Sequence, residues 1–179
     1  LALIKDKAIS EKLSGDVDEM EKMLNEYLQF SRSTFADKTE TFDISDLIKS
    51  TVKKYENANI FLNQPEKTIL TGRKNLIQRC LNNLIDNALK FANNVKIKQH
   101  KIKKNILIFV EDDGPGIPFS EYDNVFKPFY KIDKSRGQSK FSVGLGLSIS
   151  SDIIRSHGGN IELGESKMGG LIIKISLPV

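Results

Sequence analysis

The chain has one cysteine, two histidines and no apolar run near the ~18 residues needed to span a bilayer. A single cysteine excludes a disulfide framework. Cys80 falls on the apolar stripe of a helical pattern, where a thiol acts as a small core group in a reducing compartment. No signal peptide, internal repeat or low-complexity tract interrupts the 179 residues. Scarce histidine leaves two imidazoles: His100 in an expected hairpin strand and His157 before a Gly-Gly turn. Both read as incidental.

What is present is a globular composition, 39% hydrophobic and 28% charged, long enough for one domain and an appended element. The net charge of +4 is spread among interspersed acids, which suits phosphate and excludes a nucleic-acid footprint. The chain opens on Leu1 in mid-pattern and is expected to be part of a longer protein. Leu13, Val17, Met20, Leu24, Tyr27 and Leu28 recur at three and four, widened by Met23 and Phe30, with charge opposite. That is a helix with an apolar seam, expected to pair with a second copy. Residues 1–33 form this arm, 34–40 a polar linker and 41–179 the globular part.

Short strands are expected at Thr41–Asp43, Ile60–Leu62 and Thr68–Leu70, with a helix capped at Ser45 carrying Leu47, Ile48, Val52 and Tyr55. A long amphipathic helix starts near Arg73, its stripe running through Ile77, Cys80, Leu81, Leu84, Ala88 and Phe91. Asn83, Asn87 and Lys90 lie beside that stripe at i, i+4 and i+7, on one flank. Amide oxygens suit a hard cation and an ammonium suits phosphate, while a flank that merely faces water is the plain alternative.

Val95–His100 and Asn105–Val110 form an expected hairpin through Lys101–Lys104. The second strand runs into Glu111-Asp112-Asp113-Gly114-Pro115-Gly116-Ile117, a carboxylate beside glycines that admit a flat ligand, or simply a surface turn. Residues 118–142 are long, polar and irregular, with embedded aromatics and the cations Lys131, Lys134, Arg136 and Lys140; such a loop is often a lid. Gly144-Leu145-Gly146-Leu147 then opens a helix expected from about Val143 to Ser156, where unpaired N–H groups favour an anion. Strands at Asn160–Ser166 and Gly170–Leu177 close the chain. Together these blocks describe a nucleotide–magnesium pocket.

In order and spacing they resemble the N, G1, F and G2 boxes of the histidine kinase ATP-binding domain, the GHKL or Bergerat fold, over about residues 41–179. The closing Glu162-Leu163-Gly164, Gly169-Gly170-Leu171 and Leu177-Pro178-Val179 are similar to EnvZ-type osmosensor kinases. Tyr27-Leu28-Gln29-Phe30-Ser31-Arg32 resembles the second helix of the family's dimerisation and phosphotransfer hairpin. The resemblance implies an α+β fold: a two-layer α/β sandwich, its mixed sheet covered by helices on one face, preceded by a helical dimerisation arm. It implies ATP and magnesium as ligands. Asn87 is then the metal ligand, Asn83, Lys90 and Arg136 are the catalytic group, and Asp112 is the acceptor for the adenine amino group. Phe91, Gly114, Gly116 and Ile117 would border the base. Phe126 and Phe129 would pin the lid, Phe129, Tyr130, Lys131 and Arg136 would contact the nucleotide (Arg136 at the γ-phosphate), and Gly144, Leu145, Gly146 and Leu147 would cradle phosphates.

Two departures stand out. Ser142 occupies a position where the family's Gly-rich box usually has glycine, and the phosphoacceptor histidine block is absent. The expected parent is therefore a two-component sensor kinase with its acceptor elsewhere, homodimeric through the N-terminal helices and partnered by a response-regulator receiver domain (OmpR-like). This part would be the cytoplasmic portion of a bacterial inner-membrane protein. A noncatalytic GHKL module is the alternative. A mechanical ATPase is disfavoured because Asn83 stands where such enzymes carry a glutamate, and an amide cannot accept a proton as a general base.

Overall fold

Alternation of period two over 95–112 and 171–178 builds the centre of the molecule. Val95, Ile97, Ile106, Ile108, Val110, Ile173, Ile175 and Leu177 all turn inward and are at most 3% exposed. The computed structural model describes residues 37–132 and 144–179, with part of the stretch 9–28. Its elements are β1 (Glu40–Asp43), α1 (Ile44–Val52), β2 (Ile60–Leu62), β3 (Ile69–Gly72), α2 (Lys74–Phe91), β4 (Val95–Ile102), β5 (Asn105–Asp112), a 3₁₀ turn (Phe119–Glu121), α3 (Gly146–Ser156), β6 (Asn160–Glu165) and β7 (Leu171–Pro178).

One sheet runs β2-β4-β5-β7-β6, and β1 pairs with β3 in a separate antiparallel ribbon. The β2–β4 pair is parallel and the other main-sheet pairs are antiparallel, so the sheet is mixed. Helices cover one face: Leu47 and Ile48 of α1, Leu81, Leu84 and Ile85 of α2, and Ile153 and Ile154 of α3 join the sheet in a single core. The opposite face is partly or fully exposed, as along the row Lys98, Phe109, Lys174 and Glu162 across four strands. This is the expected two-layer α+β sandwich.

Local chemistry shifts several boundaries. Asp43, not Ser45, caps α1: its Oδ1 accepts from Ser45 N at 2.9 Å and also from Thr68 N at 3.2 Å. Ser45 is buried and donates its hydroxyl to the same oxygen. Tyr55 lies beyond the end of α1, where its hydroxyl donates to Asp86 Oδ1 of α2 at 2.8 Å. The β4–β5 hairpin is tighter than expected, pairing Ile102 with Asn105 and holding Lys103 at φ 55°. α3 starts at Gly146, later than the expected Val143, which lies outside the described residues.

The described residues between 9 and 28 are helical. Ile9, Leu13, Val17, Met20, Leu24 and Leu28 stand 40–67% exposed along that seam. Met23, Tyr27 and Phe30 lie outside the described residues. Among the described residues no helix is long and apolar enough to cross a membrane.

Candidate functional site

The site forms where α2, the end of β5 and the start of α3 meet. α2 is amphipathic, with Leu81, Leu84, Ile85 and Ala88 driven into the core, which leaves Asn83 and Asn87 half-buried on its flank and Lys90 exposed. Asn83 Nδ2 donates to Gly146 O at 3.4 Å, joining α2 to the first residue of α3. Asn87 makes no side-chain hydrogen bond among the described residues. Lys90 Nζ lies 5.0 Å from the centroid of the Phe91 ring, in reach of a cation–π contact.

Asp112 ends β5 and is 6% exposed. Its Oδ1 accepts two backbone N–H groups, from Gly114 at 2.9 Å and Leu171 at 3.1 Å. Oδ2 accepts nothing among the described residues, so the fold engages one carboxylate oxygen and not the other. Burial raises the Asp112 pKa above the ordinary carboxylate value, against the lowering effect of those two hydrogen bonds. Glycine is required nearby. A Cβ on Gly114 would lie 3.0 Å from both Asp112 Oδ1 and Phe91 O, and Gly116 holds φ +67°. Ile117 packs against the core beside this turn.

α3 begins without a side-chain cap: its N-cap is Leu145, which is 2% exposed and belongs to the core. The amides of its first turn therefore have no side-chain acceptor, and the positive end of the helix faces the Asn83 flank. Leu147 is half-buried against the core. Gly144, at φ +74°, closes the neck of the loop: it accepts from Phe129 N at 2.9 Å, and a Cβ there would meet Tyr130 O at 2.8 Å.

The aromatic anchoring differs from expectation. Phe126 packs against the core and Val125 is buried, but Phe129 is 51% exposed. Phe129 adopts φ 65°, a left-handed conformation at the turn, and it fastens the neck through its backbone N–H rather than its ring. Tyr130 Oη donates to Glu121 Oε2, bracing the 3₁₀ turn against the neck, and Lys131 follows directly. Arg136, Lys134, Lys140 and Ser142 lie outside the described residues.

The two histidines are engaged elsewhere. His157 Nδ1 donates to Ile153 O at 2.7 Å and Nε2 accepts from Arg73 N at 3.0 Å, so both ring nitrogens are used. His100 makes an edge contact with Phe109, centroids 6.2 Å apart. Sequence reading missed Gly170 as a wall of the site: a Cβ there would sit 2.5 Å from Gly114 N. The signal was its Gly-Gly pair, read only as part of the closing family pattern and not as a contact with Asp112.

The residues fit a purine nucleotide with a hard cation. The half-engaged Asp112 carboxylate sits among Gly114 and Gly170, where a Cβ would intrude, and α2 carries amides and an ammonium at Asn83, Asn87 and Lys90. Among the described residues no three His, Cys, Asp or Glu come together, so a cation here would draw on an amide oxygen such as that of Asn87 and on ligand oxygens.

Comparisons with known proteins identify the family and the fold. The profile of the histidine kinase-, DNA gyrase B- and HSP90-like ATPases matches residues 72–179. The chain is 29% identical over 178 residues, 98% of its length, to sensor histidine kinase GtrS of Pseudomonas aeruginosa, of which it covers 37%. It is 32% identical over 139 residues, 75% of its length, to sensor protein KdpD of Clostridium acetobutylicum, of which it covers 15%. The chain thus spans well under half of these relatives. In fold it is similar to the mycobacterial sensor histidine kinase MprB, with a TM-score of 0.68 at 24% identity over 79% of this chain and 97% of that one. The chain belongs to the histidine kinase-, DNA gyrase B- and HSP90-like ATPase family.

Proposed function

We propose that this chain is the ATP-binding catalytic part of a two-component sensor histidine kinase. The observation that carries the choice within the family is Asn83. Where hydrolysis would need a proton acceptor beside the phosphates, the side chain is an amide whose Nδ2 donates to Gly146 O. That group positions and cannot deprotonate water. The transfer then depends on placement and charge neutralisation, with an imidazole as nucleophile and ADP as leaving group.

Asp112 Oδ2 accepts the adenine amino group while Gly114, Gly116 and Ile117 border the base. The α3 start at Gly144–Leu147 meets the phosphates, Lys90 and Arg136 supply positive charge, and Asn87 holds magnesium through its amide oxygen. Magnesium, when bound, neutralises phosphate charge. The acceptor imidazole comes from a phosphotransfer hairpin. His157, with both ring nitrogens engaged, is unsuited to the role. The exposed seam from Ile9 to Leu28 supports pairing of two copies into the homodimer in which that hairpin is built. The phosphoryl group then passes to an aspartate of an OmpR-like receiver domain. The parent lies in the inner membrane with this part on the cytoplasmic side.

The test mixes this chain with γ-labelled ATP, magnesium and the separately prepared histidine-bearing hairpin of its parent. Label on the hairpin, lost in Asn87→Asp and Asp112→Ala, supports the kinase. Tight ATP binding with no transfer overturns it in favour of a noncatalytic nucleotide-binding module.

A further inference from the structure

Asp112 ends β5 and Asp113 follows it, and the two carboxylates serve different neighbours. Asp112 binds backbone N–H groups of Gly114 and Leu171, on the β7 side. Asp113 binds the segment that leaves α2: its Oδ1 accepts from Asn93 N and Asn94 N, each at 2.9 Å, and its Oδ2 accepts from Asn94 Nδ2 at 2.6 Å. Asp113 N also donates to Asn94 O at 3.3 Å. One side chain thus makes three hydrogen bonds across a gap of about twenty residues.

The exit of α2 depends on such help. The helix does not end in a left-handed glycine; its C-cap is Ala92, already extended at φ −131° and ψ 161°. The chain bends at Asn93, and the N–H groups of Asn93 and Asn94 find their acceptor in Asp113. Those bonds, led by the Asn94 side chain, hold the Asp113 carboxyl below its ordinary value, so it is ionised and its hydrogen bonds are charge-assisted. The same knot brings Phe91 O against Gly114 so closely that a Cβ there would lie 3.0 Å away.

On the reading of this pocket as an ATP site, we propose that Asp113 is a positioning residue. It fixes the C-terminal end of α2, and with it Asn87 and Lys90, in register with the base-reading Asp112. A base and its phosphates are then bound as one unit.

The experiment titrates the chain with adenosine and with ATP plus magnesium, in the wild type, Asp113→Ala and Asp113→Asn. The expected result for Asp113→Ala is adenosine affinity near wild type, with ATP–magnesium affinity about tenfold weaker. Asp113→Asn keeps an oxygen for both backbone N–H groups but turns an amide donor toward Asn94 Nδ2; it recovers most of the loss. An unchanged ratio of ATP–magnesium to adenosine affinity in Asp113→Ala overturns the proposal, because a purely structural role moves both ligands together. If Asp113→Ala does not fold, Asp113→Asn decides alone: a small selective loss for ATP supports the proposal, and a parallel or absent change overturns it. A wild type that binds neither ligand defeats the ATP-site reading itself, which keeps the two failures distinct.

Discussion

Gly170 lies against the end of β5 so tightly that a Cβ on it would fall 2.5 Å from Gly114 N and 2.7 Å from Asp112 O, and closer still to Asp112 Oδ1. Two of these three atoms are backbone, so no side-chain rotation relieves the clash. Gly170→Ala must push the start of β7 away from the end of β5 and disturb the Asp112 carboxylate with it. We expect a loss of about 1–3 kcal/mol in stability and at least about tenfold in ATP affinity. Denaturant melts and nucleotide titration measure both; an alanine variant that binds like wild type would show that the strand end has slack.

His157 makes the fold sensitive to acid. Its ring is neutral by construction, donating from Nδ1 to Ile153 O and accepting at Nε2 from Arg73 N, the N-cap of α2. Burial is the main cause that depresses its pKa below 6.5. The unfolded chain therefore binds a proton more readily than the folded one. Stability from this residue is complete above about pH 6.5 and is lost as pH falls toward the folded value. Melting curves between pH 7.5 and 5 should show this decline, and His157→Gln, which has no charge to gain, should flatten it. Equal slopes in the two proteins would refute the assignment.

Ser151 offers a gain. It is 3% exposed in the middle of α3 and its hydroxyl has no hydrogen-bond partner. An unsatisfied buried hydroxyl costs about 1–3 kcal/mol, and alanine is the better helix former. Ser151→Ala is expected to stabilise the chain by roughly 1 kcal/mol in urea unfolding, with ATP affinity unchanged.

What the sequence shows and what it hides divides along the range of the interactions. The α2 stripe, the strand alternation and the glycine turns around Asp112 follow from neighbours within a few residues, so they are visible in the chain itself. The α1 cap is not. Ser45 looks the better N-cap by pattern, but Asp43 also serves Thr68, 25 residues on, and that second bond decides the matter. His157 reads as incidental because its partner Arg73 is 84 positions away. Phe129 looks like an anchor by composition, and only its left-handed backbone shows that it works through its N–H.

At Gly144 a side chain is excluded twice. Its φ of +74° costs an L-residue about 1–2 kcal/mol, and a Cβ would meet Phe129 C at 3.0 Å as well as Tyr130 O at 2.8 Å. Gly144→Ala is expected to break the Phe129 N–H to Gly144 O bond and open the neck. Proteolysis between residues 131 and 144 should become faster in the variant without nucleotide. Unchanged cleavage would mean that the neck is held elsewhere.

The free oxygen of Asp112 predicts a switch of base. Oδ1 is committed to the N–H groups of Gly114 and Leu171, and only Oδ2 is left for a ligand. An asparagine at this position keeps its carbonyl oxygen on those two donors, because turning it over would set an NH₂ against two N–H groups. Its amide nitrogen then stands where Oδ2 was, a donor in place of an acceptor. Asp112→Asn should fold like wild type, reject the adenine amino group and favour a purine with a carbonyl at that position. Titration with ATP and ITP would read this as a reversal of preference. The pH dependence should change in parallel. Burial raises the Asp112 pKa, so wild-type affinity for adenosine falls with acidification from a higher pH than an exposed carboxylate would give. Asparagine does not titrate, so the variant serves as the control for protonation of the nucleoside. A variant that keeps both the adenine preference and the acid limb would remove Asp112 from base recognition.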